Sequence, residues 1–315
     1  MITIFELLPV ILLFYGIVQL CIIDIMVHGW LNLDKSIGIS SAQAVDQVKR
    51  IFRIKKAGHL GTLDPLASGV LPIALGEATK TIPYLSCDSK MYNFTIKWGE
   101  QRTTDDINGD VTKTSNIKPE YSQINCAIKS FIGEIIQTPP QFSAVKINGI
   151  RAYKLARSGQ KVNVKPRLVR VYRLELISVD IANNSADFSM KCGSGVYVRS
   201  IARDLGIILN CFGHISRLRR TMVGNFREIE SVMIEQLDKK DKIIPIGSVL
   251  GSMLKVEISR EEVRKIREGQ RIVLNNLRKL ESYDTFCVVN GDVPVAICNF
   301  AYGCVRPVRL FNILR

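Results

Sequence analysis

The chain has 315 residues, with 43 Lys and Arg against 29 Asp and Glu, a formal net charge of +14 and a pI near 9.5. A content of 47% hydrophobic and 23% charged residues excludes a disordered chain, and the length suits one large domain plus a small one. The positive surplus points to an anionic partner, nucleic acid or a membrane surface, or to a basic but inert surface; no single amphipathic basic helix carries it. Eight cysteines without a C-x-x-C pair read as small buried hydrophobes in a reducing compartment, and with three histidines (His28, His59, His214) away from ligand spacing no metal site is expected.

Residues 7 to 23, LLPVILLFYGIVQLCII, are uncharged and nearly long enough to span a bilayer. A secretory signal fits poorly because MITIFE has no Lys or Arg and no small-residue cleavage site follows. Pro9, Gly16 and Gln19 weaken a membrane anchor. Met26 stands just before VHGWLNLDK, so translation from Met26 is the favoured reading and residues 1–27 are set apart as an extension.

After GWLNLDKSIG, the segment SSAQAVDQVKRIF predicts a helix with Val45, Val48, Ile51 and Phe52 on one face behind a cap at Ser40 or Ser41. A glycine-rich stretch from Gly58 to Gly76 follows, and then MYNFTIKW, where Tyr92, Phe94, Ile96 and Trp98 alternate with polar residues as in a half-buried strand. Helical spacing returns through Ile124, Ala127, Ile128 and Phe131, with Gly133 as its stop. Between Pro140 and Pro166 lies a segment rich in Lys, Arg and Tyr that reads as an excursion from the core.

Strands are expected at LVRVYRLELISVDIA and ADFSMKC, and GSGVYVRSIARDLGIIL turns into a helix. Beyond about Leu250, Ser259 and Glu262 form a capping box, and TFCVVNGDVPVAIC is a hairpin turning at Asn290-Gly291. A small, mainly β domain is expected there.

Within Gly58–Pro72 the glycines permit positive φ or a close backbone approach, and Pro65 pushes Asp64 toward an extended conformation. Taken alone, Asp64-Pro65 is better explained as a helix start, with Asp as N-cap and Pro at N1.

The wider context decides between them. GWLNLDKSIGISS, GHLGTLDPLASGVLPIALGEATK, KMYNFTIKWGE with TTDDINGD, SAVKINGIRAYKLAR, and GSGVYVRSIARDLG with HISRLRR stand in the order in which their counterparts occur in the TruB family of tRNA pseudouridine synthases, which this chain resembles from about Gly29 to Val223. Dyskerin relatives resemble it less closely. The resemblance implies an α+β pseudouridine synthase fold, a mixed and mainly antiparallel sheet with flanking helices and loops, over residues 28–248. A small β-rich PUA-like RNA-binding domain over 249–315 follows by position.

It further implies Asp64 as nucleophile, Arg199 as its pairing cation and Tyr197 as the group assisting deprotonation at C5. Tyr92 would stack on the extruded uracil, His59 would fill the space it leaves, and Leu218 would contact the base. Lys146, Arg151 and Lys154 in the excursion, with Arg219 and Arg220, would meet the RNA backbone.

The implied activity is conversion of the T-arm uridine, position 55, to pseudouridine in the cytoplasm, by a monomer with tRNA as partner and without cofactor. The alternatives are a guide-RNA-dependent dyskerin-like enzyme and a non-catalytic RNA-folding module. Two departures stand out: Ser36 replaces the Pro usual after Asp-Lys, and Thr103 stands where many relatives carry Asp.

Overall fold

A computed structural model of the chain describes residues 27–85, 89–160, 162–237, 242–251, 253–270, 272, 285–301 and 304–313. The apolar segment 7–23 and the Met26 start lie outside the described residues.

Strand β1 (Gly29–Lys35) leads into helix α1 (Ser41–Ile51). Ser40 is the N-cap and forms a reciprocal capping box with Gln43, while Lys49 and Arg50 in the last turn complement the helix dipole. Ser41, Ala44, Val45 and Val48 form the buried stripe. Ile51, expected on that face, is exposed instead, because the helix ends there with Phe52 as C-cap.

Short strand β2 (Ala57–His59) and strand β3 (Ser68–Leu75) flank the Asp64 loop. Strand β3 is apolar nearly throughout because it is buried on both faces: Leu71, Ile73 and Leu75 join one core, while Val70 and Ala74 join another. A 3₁₀ helix over Gly76–Tyr84 precedes β4 (Lys90–Trp98), whose Tyr92, Phe94, Ile96 and Trp98 are all buried, as the alternation predicts. Strands β5 (Glu100–Arg102) and β6 (Val111–Thr114) form a hairpin.

Helix α2 (Tyr121–Ala127) tightens to 3₁₀ over Ile128–Phe131 before Gly133, at φ +99°, opens β7 (Gly133–Gln137). The excursion holds β8 (Lys146–Ile147), β9 (Ile150–Arg151) and α3 (Ala152–Arg157). Its hairpin turns at Asn148 and Gly149, both at positive φ. Its apolar residues, among them Ala152, Val162 and Val164, form a cluster of their own.

Long strands β10 (Arg167–Asp180) and β11 (Ser185–Cys192) follow, then α4 (Val198–Ile208), β12 (Gly213–Val223) and β13 (Phe226–Arg227). Among the described residues they complete a nine-stranded sheet, ordered β1-β3-β12-β4-β11-β10-β7, with β2 on β3 and β13 on β12. Its pairings are antiparallel except β3 with β12, which run parallel through Arg219↔Ser68 and Arg220↔Gly69. That crossing demands glycine: at Gly69, φ +99°, a Cβ would lie 2.2 Å from the Arg220 carbonyl oxygen.

A one-turn helix α5 (Ile246–Val249) leads to β14 (Lys255–Glu257), α6 (Arg260–Arg267), β15 (Thr285–Asn290), β16 (Val293–Ala301) and β17 (Cys304–Leu310). Ser259 and Glu262 form the expected capping box, and the hairpin turns at Gly291 with φ +60°. The four strands make a second sheet, β14-β15-β16-β17. Its Cys287, Val289 and Ile297, with Phe311, pack on Trp30, Val70 and Ala74 of the main sheet.

Candidate active site

Asp64 does not start a helix. Its carbonyl accepts the Ala67 N–H at 3.0 Å in a tight turn, and the chain then enters β3. The helix-cap reading of Asp64-Pro65 is therefore set aside, and the loop is shaped by its neighbours instead.

Three anchors shape it. Ser41 Oγ accepts from the Leu63 N–H at 2.8 Å and donates to the Leu63 carbonyl at 2.9 Å. The Gly38 N–H donates to the Pro65 carbonyl at 2.8 Å. From β12, Arg220 donates to the carbonyls of Val70 (2.8 Å), Thr62 (3.2 Å) and Gly61 (2.9 Å). The first turn of α1 and one arginine thus hold the residues flanking Asp64.

Arg199, in the first turn of α4, reaches Asp64 Oδ2 with Nε at 2.9 Å. Its Nη1 donates to the Thr104 carbonyl at 2.8 Å and its Nη2 to the Phe142 carbonyl at 2.9 Å. The Arg199 side chain is 4% exposed whereas that of Asp64 is 33% exposed. The cation is a buried strut, and the carboxylate is left facing outward.

Asp64 and Arg199 line a cavity of about 230 Å³ together with Tyr92, Tyr197, Leu218, Lys90 and Arg167. A larger hollow of about 560 Å³ runs along Asn93, Thr95, Asp187 and Arg217 and shares Leu218, but it contains neither Asp64 nor Arg199. The smaller one holds the Asp64–Arg199 ion pair. Tyr197 is the N-cap residue of α4. Buried Gln137 clamps its backbone, accepting from the Tyr197 N–H at 2.8 Å and donating to its carbonyl at 3.2 Å.

Burial pushes the Tyr92 phenol above its usual range, against the opposing pull of Arg220, so the ring meets the pocket uncharged. His59 lies on β2 beside the loop and does not line the cavity. Burial first, and Arg220 second, hold its imidazole below the ordinary histidine value.

The basic residues divide. Lys146, Arg151 and Lys154 are exposed on the excursion. Arg219 is half-exposed and is already paired with Asp34 at 2.6 Å and with Glu228. Arg220 corrects the sequence reading: it is 1% exposed and its donors hold loop carbonyls, so it cannot reach an RNA phosphate. The HISRLRR pattern shows two adjacent arginines, and strand alternation sends the second one inward.

Other supports went unnoticed in the sequence. Asp106 lies 3.8 Å from Arg199 Nε and folds its own loop, accepting from Thr104 Oγ1 at 2.6 Å and the Asn108 N–H at 3.0 Å. Asp105, at φ +58°, is paired with Arg203 at 3.0 Å; burial raises its carboxyl to about 6. Lys35 is fully buried and donates to the Ser36 and Ile39 carbonyls, both at 2.8 Å. Burial lowers its ammonium to about 8, with Asp64 opposing that shift. TTDDINGD and LDK were visible as motifs, but nothing in their spacing told which side chains turn inward.

Residues 49–198 match the family model for the N-terminal domain of TruB family pseudouridylate synthases, and residues 199–245 match the model for the tRNA pseudouridylate synthase B C-terminal domain. The chain belongs to the TruB family. It is 61% identical to tRNA pseudouridine synthase B of Wolbachia pipientis subsp. Culex pipiens (strain wPip), over 92% of this chain and 100% of that one. It is 50% identical to the protein of the same name from Ehrlichia canis (strain Jake), over 91% and 98%.

A structure of an H/ACA RNP bound to a substrate RNA containing 2′-deoxyuridine matches its fold with a TM-score of 0.67 at 23% identity, over 91% of this chain and 86% of that one. A Cbf5-Nop10-Gar1 complex matches with a TM-score of 0.64 at 27% identity, over 88% and 79%. This TruB-family chain is thus a pseudouridine synthase, an isomerase with the α+β synthase fold and a C-terminal PUA-like β region.

Proposed function

We propose that this TruB-family chain converts the uridine at position 55 in the T-arm of tRNA to pseudouridine, acting as a cytoplasmic monomer on the RNA alone. The observation that carries this reading is the Asp64 carboxylate, aimed by Arg199 into a small cavity walled by Tyr92, Tyr197 and Leu218. Catalysis belongs to residues 28–248, and residues 249–315 add RNA contacts.

A base stacked in a folded T-arm cannot enter a cavity below the protein surface, so the uridine swings out, at a cost of a few kcal/mol in stacking. Tyr92 offers the uracil a ring to stack against, and Leu218 an apolar edge. His59, beside the cavity rather than in it, fills the gap left in the RNA.

Asp64 then supports cleavage of the C1′–N1 bond by capturing the oxocarbenium-like C1′, as carboxylates do in glycoside hydrolysis. The uracil turns, C5 bonds to C1′ as Asp64 departs, and Tyr197 assists removal of the C5 proton, which N1 regains. Atoms balance without cofactor or metal. Outside the cavity, Lys146, Arg151 and Lys154 hold phosphates by shape and charge, with Arg219 contributing beside its two carboxylates.

The test is incubation of purified chain with unmodified tRNA transcript and no other RNA, with pseudouridine mapped by position. Product at position 55, abolished in Asp64→Asn while tRNA still binds, is the expected result. Product at another position, or dependence on an added guide RNA, would overturn it.

A further inference from the structure

The arginines around the Asp64 loop are nearly all committed. Arg199 holds Asp64 and two carbonyls, Arg220 holds three carbonyls, and Arg219 holds two carboxylates. Arg167 differs.

It is the first residue of β10, and its side chain crosses to line the same cavity as Asp64. The guanidinium lies 5.1 Å from the centroid of the Tyr197 ring, within cation–π range. Nη2 donates to the Gly195 carbonyl. Nε is shielded from solvent and has no hydrogen-bond partner among the described residues. Leaving a buried donor without a partner is unfavourable, and such an orphan calls for an explanation.

Substrate chemistry supplies one. When C1′–N1 breaks, its electron pair leaves with the base, and the uracil is an anion until C5 bonds to C1′ and the C5 proton passes to N1. The phosphates flanking an extruded nucleotide are a second source of negative charge at the same place. Both present oxygens to which a planar guanidinium can donate.

We propose that Arg167 is an anion-binding residue of the cavity, presenting its incompletely bonded guanidinium to negative charge on the target nucleotide while its stack and its Gly195 bond fix Tyr197. The proposal rests on the synthase reading and goes beyond it by adding a substrate-facing cation separate from Arg199.

Arg167→Gln and Arg167→Lys separate charge from scaffolding, because Gln keeps a donor for the Gly195 carbonyl without charge and Lys keeps charge without the planar stack. The full-length variants are compared with wild type in single-turnover rate at saturating tRNA, in tRNA Kd across a salt series, and in Tm. If the anion is the departing uracil, the R167Q rate falls about 10- to 100-fold with Kd within about twofold. If it is a phosphate, the rate at saturation holds, Kd rises about 3- to 10-fold and the slope of log affinity against log salt shrinks by about one.

Substantial recovery in R167K, with R167Q melting like wild type, supports either source. R167Q matching wild type in rate, Kd and salt slope overturns the proposal, and so does equal loss in both variants with a lowered Tm, which marks a purely structural stack. Wild-type protein is assayed alongside: failure of wild type to modify tRNA overturns the synthase reading instead, and the salt series still reads Arg167.

Discussion

Arg199 Nε donates to Asp64 Oδ2 at 2.9 Å while its two other nitrogens are held by the carbonyls of Thr104 and Phe142. The loop carrying Asp64, the loop between β5 and β6 and the base of the excursion therefore converge on one guanidinium. Arg199→Met leaves those carbonyls and the carboxylate without their donor. A stability loss of about 2–4 kcal/mol is expected, together with a fall in turnover of at least about 100-fold. Chemical denaturation and single-turnover assays check both; unchanged turnover would refute the strut role.

Buried Arg220 on β12 is expected to behave oppositely to the excursion cations. Arg220→Met should lower stability by about 3 kcal/mol because three loop carbonyls lose their donors, with no change in the salt dependence of RNA binding. Lys154→Ala should leave the melting temperature in place and reduce the salt slope by about one. Binding isotherms at several salt concentrations, beside thermal melts, discriminate the two.

The buried Lys35 gives stability a pH signature. Its folded-state ammonium titrates near 8, down from 10.5. Between those values the unfolded chain holds a proton that the folded chain has released, so this group makes the fold more stable as pH rises through the window, by about 3 kcal/mol at most. In Lys35→Met that rise disappears. Urea unfolding of both proteins at pH 7 and pH 10 measures it, and parallel pH trends in the two would exclude the effect.

Gly69 tests the strand crossing. Any Cβ there collides with the Arg220 backbone and also strains φ at +99°, so Gly69→Ala is expected to cost more than about 2 kcal/mol. It should also slow catalysis, since the same crossing sets Arg220 beneath the Asp64 loop. A melting temperature equal to wild type would contradict this geometry.

Much of the fold could be read from pattern. The serine cap before α1, the alternation from Tyr92 to Trp98 and the Asn290-Gly291 turn are local, with each signal contained within about ten residues. The site was legible as a set of residue types, and Asp64, Tyr92, Tyr197, Arg199 and Leu218 do share one cavity. What stayed hidden depends on partners far away in sequence: Gln137 clamping Tyr197, Lys35 under the loop, and Arg220 facing inward while Arg219 faces out. Burial of a charge is a property of what covers it, and no spacing rule reports that.

Strand β3 serves two masters, because Leu71, Ile73 and Leu75 join the core that also holds Leu63, Tyr92 and Leu218, while Val70 and Ala74 join the cluster that holds Cys287, Val289, Ile297 and Phe311. The C-terminal module is therefore no bead on a string. Cutting it away would strip Val70 and Ala74, on the strand that follows the Asp64 loop, of apolar cover and thin the packing on Trp30, so a shortened chain would need a resurfaced flank before it could keep Asp64 in place.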